Sequence, residues 1–155
     1  MALHVPPLQY HIDTDGDLEE RLCTKGLKVV EIFSEWCGPC KSVIPTFKRI
    51  RLDKEDEATL LFLTICAESC KFLEEAEKRK GKSEPTFMLF RNGALKETIY
   101  GSNTPKLNDL IIQLTPAMAE ADDLEENPLY QAKKEREKKE REVAKEAAKE
   151  AKKKK

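Results

Sequence analysis

The chain has 155 residues, a formal net charge of −1 at pH 7, and charged side chains at 37% of its positions. A chain of this length predicts one folded domain. It has no apolar run near the ~18 residues of a membrane span and no basic-then-apolar start of a secretory signal. We therefore expect a cytoplasmic protein without a membrane partner, and no pattern in the chain predicts binding to nucleic acid.

The charges are divided unevenly along the chain. Residues 129–155 hold 12 Lys and Arg against 6 Glu, a net charge of +6, whereas residues 1–128 hold 16 basic and 23 acidic side chains, a net charge of −7. Such asymmetry is typical of a tail that binds a partner. We expect a folded domain over 1–115, an acidic linker over 116–128, and a charged, mostly helical basic tail over 129–155.

Two interpretations of the basic tail remain open. Glu135 precedes Lys139 by four residues, a spacing that favours a helix, but no apolar seam indicates a coiled coil. The tail is then either a solvated, fraying helix that aids solubility or a docking rod that binds an acidic surface.

The first half of the chain predicts alternating strands and helices. Strands are expected at 8–12 and 27–33 from their alternating or continuous apolar pattern. A helix capped by Asp13 or Thr14 should end near Gly26. A second helix is expected over 37–52, kinked where Pro45 lacks a backbone N–H.

The second half continues the pattern and adds a hairpin. A buried strand is predicted at 60–66 and a helix at 70–80, followed by strands at 86–90 and 95–100 around Arg91-Asn92-Gly93. Thr104 and Pro105 should begin the next helix as its N-cap and first residue. The order β-α-β-α-β-α-β-β-α predicts an α/β fold with a central mixed sheet flanked by helices.

Two cysteines three positions apart lie between a predicted strand and a predicted helix. Cys37 is expected at the helix start, where the helix dipole favours the thiolate, and Cys40 one turn later. Cys37 would attack a substrate disulfide, and Cys40 would resolve the mixed disulfide. Gly38 and Pro39 would form the tight entry into the predicted helix. Trp36 would cover one side of the thiols.

The five cysteines, at 23, 37, 40, 66 and 70, are an odd number, which fits free or catalytic thiols in a reducing compartment. Zinc is the alternative to redox chemistry, but it needs a second ligand pair. Cys66 and Cys70 would have to supply that pair and are expected far from the motif. They could also form a regulatory disulfide or simply be buried thiols. We expect neither a metal nor a cofactor.

Four segments of the chain resemble the thioredoxin family. Residues 35–41 match its active site, Pro85-Thr86 its cis-proline and following threonine, 91–93 its hairpin turn, and Gly101 the glycine beside its substrate groove. The resemblance covers residues 8–115 and implies a thioredoxin fold. It also implies that Pro85 faces Cys37 and that the dithiol acts on protein disulfides.

The chain departs from the family at positions near the dithiol. Glu31 replaces a buried Asp that lies six residues before the first cysteine, and Glu84 replaces an apolar residue before the proline. A buried Glu31 could accept the proton of Cys40, whereas a strand-edge Glu31 would only face water, and its apolar neighbours favour burial. Glu84 should oppose thiolate formation, and Thr64 and Cys66 also differ from the family pattern.

A narrower resemblance is to the thioredoxin-type light chains of axonemal outer-arm dynein. It rests on Lys25-Gly26-Leu27, on 29–32, on Glu84-Pro85-x-Phe87 and on Gly101-x-Asn103-x-Pro105. It implies a subunit bound to dynein heavy or intermediate chains in the axoneme of a cilium or flagellum, with a redox-sensing role. The alternative is a free cytosolic protein-disulfide reductase. The sequence leaves open whether catalysis or a structural and regulatory role dominates.

Overall fold

A mixed five-stranded sheet forms the centre of the structure, a computed structural model that describes residues 3–155. The sheet has the order β1-β3-β2-β4-β5. The parallel strands β1, β2 and β3 are joined by the antiparallel strands β4 and β5. The strands are β1 (Tyr10–Ile12), β2 (Leu27–Phe33), β3 (Leu60–Cys66), β4 (Thr86–Arg91) and β5 (Ala94–Tyr100).

Helices cover both faces of the sheet. They are α1 (Asp15–Leu22), α2 (Ile44–Asp53), α3 (Glu74–Arg79), α4 (Thr104–Leu114) and α5 (Pro128–Lys153). Leu18 of α1 and Ala76 of α3 belong to one core cluster, whereas Phe47 of α2 and Leu107 of α4 belong to the other. Every residue of β2 is buried because both faces of this strand are covered. The predicted element order is confirmed.

The predicted strands at 27–33 and 60–66 have those bounds in the structure, but the second helix begins later than expected. It begins at Ile44 and not at Cys37. Gly38 has a φ of +70°, which a right-handed helix cannot contain. Pro45 falls in the first turn of α2, where its missing N–H breaks no helical hydrogen bond, so the kink expected at this residue is absent from the described helix.

Two other helices also begin later or are capped differently. α3 begins at Glu74, after a short 3₁₀ turn at 67–69. Asn103, and not Thr104, caps α4, since its side chain accepts a hydrogen bond from the N–H of Lys106. Thr14 caps α1 as expected, accepting from the N–H of Asp17.

The hairpin between β4 and β5 turns at Asn92 and Gly93. Their φ angles are +49° and +76°, the pair of left-handed conformations that a type I′ turn needs. A Cβ at Gly93 would lie 1.9 Å from Oδ1 of Asn127, so the turn also passes close to the chain before α5.

The acidic segment 116–128 packs on the domain at the end of the sheet where β2 begins. Asp122 is buried, and its carboxylate accepts hydrogen bonds from the N–H of Gly26 at 2.9 Å and from Nε of Arg91 at 3.1 Å. Asn127 is also buried and donates from Nδ2 to the carbonyl of Leu22 at 3.0 Å. Within residues 3–155, no helix is long and apolar enough to cross a bilayer.

Candidate functional site

The two cysteines of the motif lie in the loop that follows β2. The backbone N–H groups of Cys37 and Gly38 both donate to the carbonyl of Ser34 at 3.1 Å, which closes a turn. Ser34 is itself fixed, since its Oγ donates to the carbonyl of Lys82 at 2.6 Å. Both cysteines are free thiols, Cys37 exposed and Cys40 partly buried. This difference in exposure suits Cys37 as the attacking thiol and Cys40 as the resolving thiol.

Cys37 does not lie at a helix N-terminus. It precedes the first residue of α2 by seven positions, so the helix dipole expected to favour its thiolate lies beyond the reach of about one turn. The physical reason is the left-handed Gly38, which makes 37–40 a turn instead of a helix.

The cysteines line a groove of about 280 Å³ together with the segment before β4. Its lining residues are Phe33, Cys37, Gly38, Pro39, Cys40, Lys41, Ser83 and Pro85. The structure therefore brings Pro85 to the dithiol, as the resemblance implied. A protein segment could enter this groove beside the exposed Cys37.

The peptide bond of Pro85 differs from the expectation. The resemblance implied a cis bond, but no peptide bond among residues 3–155 is cis. The trans form of an X–Pro bond is intrinsically favoured by about 0.5–1 kcal/mol. With the trans bond, the carbonyl of Pro85 accepts a hydrogen bond from the N–H of Gly101 at 2.8 Å, which ties the groove edge to the end of β5.

Glu31 is the buried acid of the site. Its side chain is 0% exposed, as its apolar neighbours indicated. One oxygen accepts a hydrogen bond from the backbone N–H of Cys40 at 2.5 Å and the other from Nε2 of Gln9 at 3.3 Å. Burial raises the pKa of Glu31, and the two hydrogen bonds lower it in part.

Two groups outside the predicted set of site residues also contact this centre. Oγ of Ser42 lies 3.0 Å from Sγ of Cys40, a contact that the spacing of two residues could have suggested. Gln9 contacts Glu31 from 22 positions away, and no local pattern marks it.

Trp36 does not line the groove. Its side chain is 68% exposed, and its Nε1 donates to the carbonyl of Gly81 at 3.3 Å. This contact holds the indole against the chain before β4, so the expected cover over the thiols is not present.

Glu84 stands at the edge of the groove and does not line it, whereas its neighbours Ser83 and Pro85 do. Its carboxylate forms an ion pair of 3.4 Å with Arg79, whose guanidinium lies 4.2 Å from the centroid of the Tyr100 ring. Gly101 has a φ of +82°, and a Cβ there would lie 2.8 Å from Oε1 of Glu84. Arg79 therefore offsets part of the negative charge that the sequence placed beside the dithiol.

Thr86 is fully buried, and its Oγ1 has no hydrogen-bond partner among residues 3–155. Its burial follows from its position in the interior strand β4, so Thr86 supports the groove edge from below and is not exposed to a substrate.

Cys66 and Cys70 are both free thiols. Cys66 donates to Glu68 at 3.0 Å, and burial raises the pKa of the Cys66 thiol. Cys70 is buried in the core. Across residues 3–155, no group of three or more His, Cys, Asp or Glu side chains could hold a metal ion.

Comparison with known proteins agrees with this architecture. The thioredoxin family model matches residues 9–113. The chain belongs to the thioredoxin family. Among solved structures, thioredoxin from Nicotiana alata has a TM-score of 0.56 and 19% identity, covering 75% of this chain and 100% of that one. Thioredoxin from Schistosoma mansoni has a TM-score of 0.51 and 32% identity, covering 68% and 97%.

Dynein light chains and a larger thioredoxin-domain protein are also similar to this chain. The 16 kDa dynein light chain of the flagellar outer arm of Chlamydomonas reinhardtii is 69% identical over 137 residues, which cover 88% of each chain. The 14 kDa light chain of the same arm is 39% identical, covering 57% of this chain and 66% of that one. Human thioredoxin domain-containing protein 6 is 38% identical, but the match spans only 31% of its length.

Proposed function

We propose that this protein is a light-chain subunit of an axonemal outer-arm dynein, located in a cilium or flagellum. The observation that carries the proposal is the 69% identity to the 16 kDa outer-arm light chain over 88% of both chains. Coverage of this extent includes the thioredoxin domain and reaches beyond it. The heavy or intermediate chains of the motor are the partners it would bind.

Within that assembly, the dithiol exchanges electrons with a protein disulfide. The thiolate of Cys37 attacks one sulfur of the substrate disulfide, forming a mixed disulfide and releasing the first substrate thiolate. The thiolate of Cys40 then attacks Sγ of Cys37 and releases the second. Two electrons pass to the substrate, and a Cys37–Cys40 disulfide remains. The reaction runs in reverse when an oxidised dithiol meets a reduced partner.

Glu31 serves the second step as the proton acceptor. Its carboxylate accepts a hydrogen bond from the backbone N–H of Cys40. A buried carboxylate whose pKa is raised can take up the Cys40 proton more readily than one in water. The proton then passes through solvent to the released substrate thiolate.

Two features favour a dedicated subunit over a freely diffusing general reductase. Glu84 puts a half-exposed carboxylate at the groove edge, which weakens the approach of acidic substrates. The helix α5 adds a basic extension of 26 residues that disulfide exchange does not need. The dithiol then acts on few partners, as a local redox element that regulates motility.

The assembly proposal is tested by sedimentation. The full chain is tagged and expressed in its own source, axonemes are extracted with high salt, and the extract is separated on a sucrose gradient. We expect the tag to co-sediment with the outer-arm heavy chains. A tag found only in the cytosol at the size of a monomer would overturn the proposal.

The redox proposal is tested by trapping. Cys40→Ser should accumulate a mixed disulfide on Cys37, visible on a non-reducing gel and lost after reduction, because the resolving thiol is gone. Cys37→Ser is the matched control and should trap nothing. Equal trapping by both variants, or by neither, would contradict the assigned order of attack.

A further inference from the structure

The helix α5 leaves the domain after its first turns. Leu129 packs against the core, and Arg136 forms an ion pair with Glu19 of α1. From residue 137 onward every side chain is exposed. At 1.5 Å per residue, 17 helical residues from 137 to 153 extend about 25 Å into solvent.

The base of α5 is fixed by buried polar contacts. Oδ1 of Asn127 accepts hydrogen bonds from the N–H groups of Leu129 and Tyr130, both at 3.0 Å, while Nδ2 donates to the carbonyl of Leu22. This anchor lies where β2 begins, whereas Cys37 follows the other end of β2. The anchor and the dithiol are therefore separated by about the length of that strand, roughly 20 Å.

Five of the cations in the exposed part of α5 share one face, although Lys139 and Lys153 lie in the neighbouring row. A basic ridge follows the spacing of three and four residues that places side chains on one helical face. It consists of Lys138, Arg141, Lys145, Lys149 and Lys152. An acidic row runs beside it, made of Glu142, Glu146 and Glu150. Lys145 and Lys149 are like charges four residues apart and disfavour an isolated helix, whereas Glu146, three residues before Lys149, offsets part of this repulsion.

The charges of the exposed part are also unpaired. In the stretch from residue 3 to 155, no salt bridge involves a side chain beyond Arg136. The tail carries a net charge of +6 from residue 129 onward. An anchored helix that carries five cations without partners along one face presents a surface complementary to carboxylates.

We propose that the basic ridge of α5 is a docking surface for an acidic segment of another subunit in the same motor complex. The proposal rests on the proposed function, because it assigns the element that holds the chain in its assembly. Docking through the ridge leaves the groove beside Cys37 free, since no residue of α5 lines that groove. Two α5 helices would bring like net charges together, which argues against a second copy as the occupant.

The test distinguishes an effect of the ridge from an effect of the net charge of the tail. In the full chain, Lys145→Glu, Glu146→Lys, Lys149→Glu and Glu150→Lys are combined, which keeps the composition and the net charge but breaks the ridge. We expect about tenfold less of this variant than of the wild-type chain to co-sediment with the outer-arm heavy chains. The matched control exchanges Lys154 and Lys155 for Arg, which leaves the ridge intact and should co-sediment normally.

Three results decide the outcome. Circular dichroism should show equal helix content in the variant and the wild-type chain, so that a loss of docking reflects the ridge. If the broken-ridge variant and the wild-type chain co-sedimented equally, the docking role of the ridge would be wrong. The proposed function would still stand. A wild-type chain that fails to co-sediment would overturn the proposed function itself.

The occupant is identified in the intact complex. A carbodiimide couples lysine amines to carboxylates with loss of water, so wild-type α5 should cross-link to Asp or Glu residues of another subunit. The broken-ridge variant should lose these products at 145 and 149. Cross-links to a second copy of this chain, or to none of the dynein subunits, would overturn the stated occupant.

Discussion

The carboxylate of Glu31 accepts a hydrogen bond of 2.5 Å from the backbone N–H of Cys40. This contact places a buried acid directly beneath the partly buried cysteine of the pair. The exposed cysteine, Cys37, has no such neighbour among its hydrogen-bond partners. The two thiols thus differ in surroundings as well as in exposure, which suits two different steps of one exchange reaction.

Glu31→Gln should make the domain more stable at neutral pH. Burial raises the pKa of Glu31 above its ordinary value of 4.5. The folded state therefore holds this proton more tightly, and its stability falls as pH rises from 4.5 through the folded pKa. The variant escapes that loss, so we expect a gain of order 1 kcal/mol in the free energy of unfolding at pH 8 and almost none at pH 4. Urea unfolding of the variant and the wild-type chain at both pH values measures this gain.

The control for Glu31 is a partly buried carboxylate on β5. Glu97→Gln removes a carboxylate at the hairpin strand β5, for which burial is only partial. The difference in the free energy of unfolding between Glu97→Gln and the wild-type chain should not increase from pH 4 to pH 8. If Glu31→Gln gained the same stability at pH 4 as at pH 8, the buried charge would not be the cause.

Glu84→Gln should speed reduction of an acidic peptide disulfide. The carboxylate of Glu84 stands at the groove edge and repels such a substrate, although Arg79 at 3.4 Å offsets part of its charge. We expect a gain of about twofold in kcat/KM at low ionic strength, since an exposed charge contributes less than about 1 kcal/mol. The gain should disappear near 1 M salt, where the screening length is about 3 Å.

A neutral peptide disulfide is the control for Glu84. It should be reduced at similar rates by Glu84→Gln and the wild-type chain at any salt concentration. An equal gain with neutral and acidic peptides would mean that Glu84 acts through the shape of the groove edge and not through its charge.

The strands of the sheet could be predicted from the sequence because the patterns that mark them are local. Continuous apolar runs marked β2 and β3, and Asn92-Gly93 marked the hairpin, since both residues must adopt positive φ there. The start of α2 was predicted wrongly. A helical pattern of apolar residues does not reveal that Gly38 takes a left-handed conformation ahead of it.

Contacts between distant positions explain most of what the sequence could not provide. Gly26 and Asp122 are 96 residues apart, and Leu22 and Asn127 are 105 apart. Nothing in the composition of 116–128 separates a packed segment from an extended one. The site was predictable through its cysteines and Pro85, whereas the partner of Glu84 depended on where Arg79 ends α3.

Lys28→Met should stabilise the domain at neutral pH. Burial lowers the pKa of Lys28 from 10.5 to about 8, although Asp122 opposes the shift. That change corresponds to about 3 kcal/mol at neutral pH, and the lost hydrogen bond to the carbonyl of Lys25 offsets about 1 kcal/mol of it. We expect a net gain of about 2 kcal/mol in the free energy of unfolding at pH 7.

The pH dependence separates this cause from improved packing. The unfolded chain holds the Lys28 proton up to pH 10.5 and the folded chain only to about 8, so wild-type stability rises with pH between these values. The advantage of Lys28→Met should therefore shrink across this window. Lys25→Met, at a half-exposed neighbour, is the control, and an advantage for Lys28→Met that is constant from pH 7 to 10 would contradict the electrostatic cause.

Asn127→Ala should release the base of α5 from the domain. The variant loses the cap of α5 and the bond to the carbonyl of Leu22, which together cost about 2 kcal/mol. Asn103→Ala is the matched control, because Asn103 caps α4 through one bond of 3.3 Å to Lys106 and is exposed. It should cost about 1 kcal/mol or less.

Hydrogen exchange distinguishes a lost anchor from general destabilisation. In Asn127→Ala, amide protection should fall first over residues 128–136, while the strands β2 and β3 retain theirs. In Asn103→Ala the loss should fall on α4. Uniform loss of protection across the sheet in Asn127→Ala would mean that the residue supports the whole domain. Such a result would contradict the role of Asn127 as a local anchor of α5.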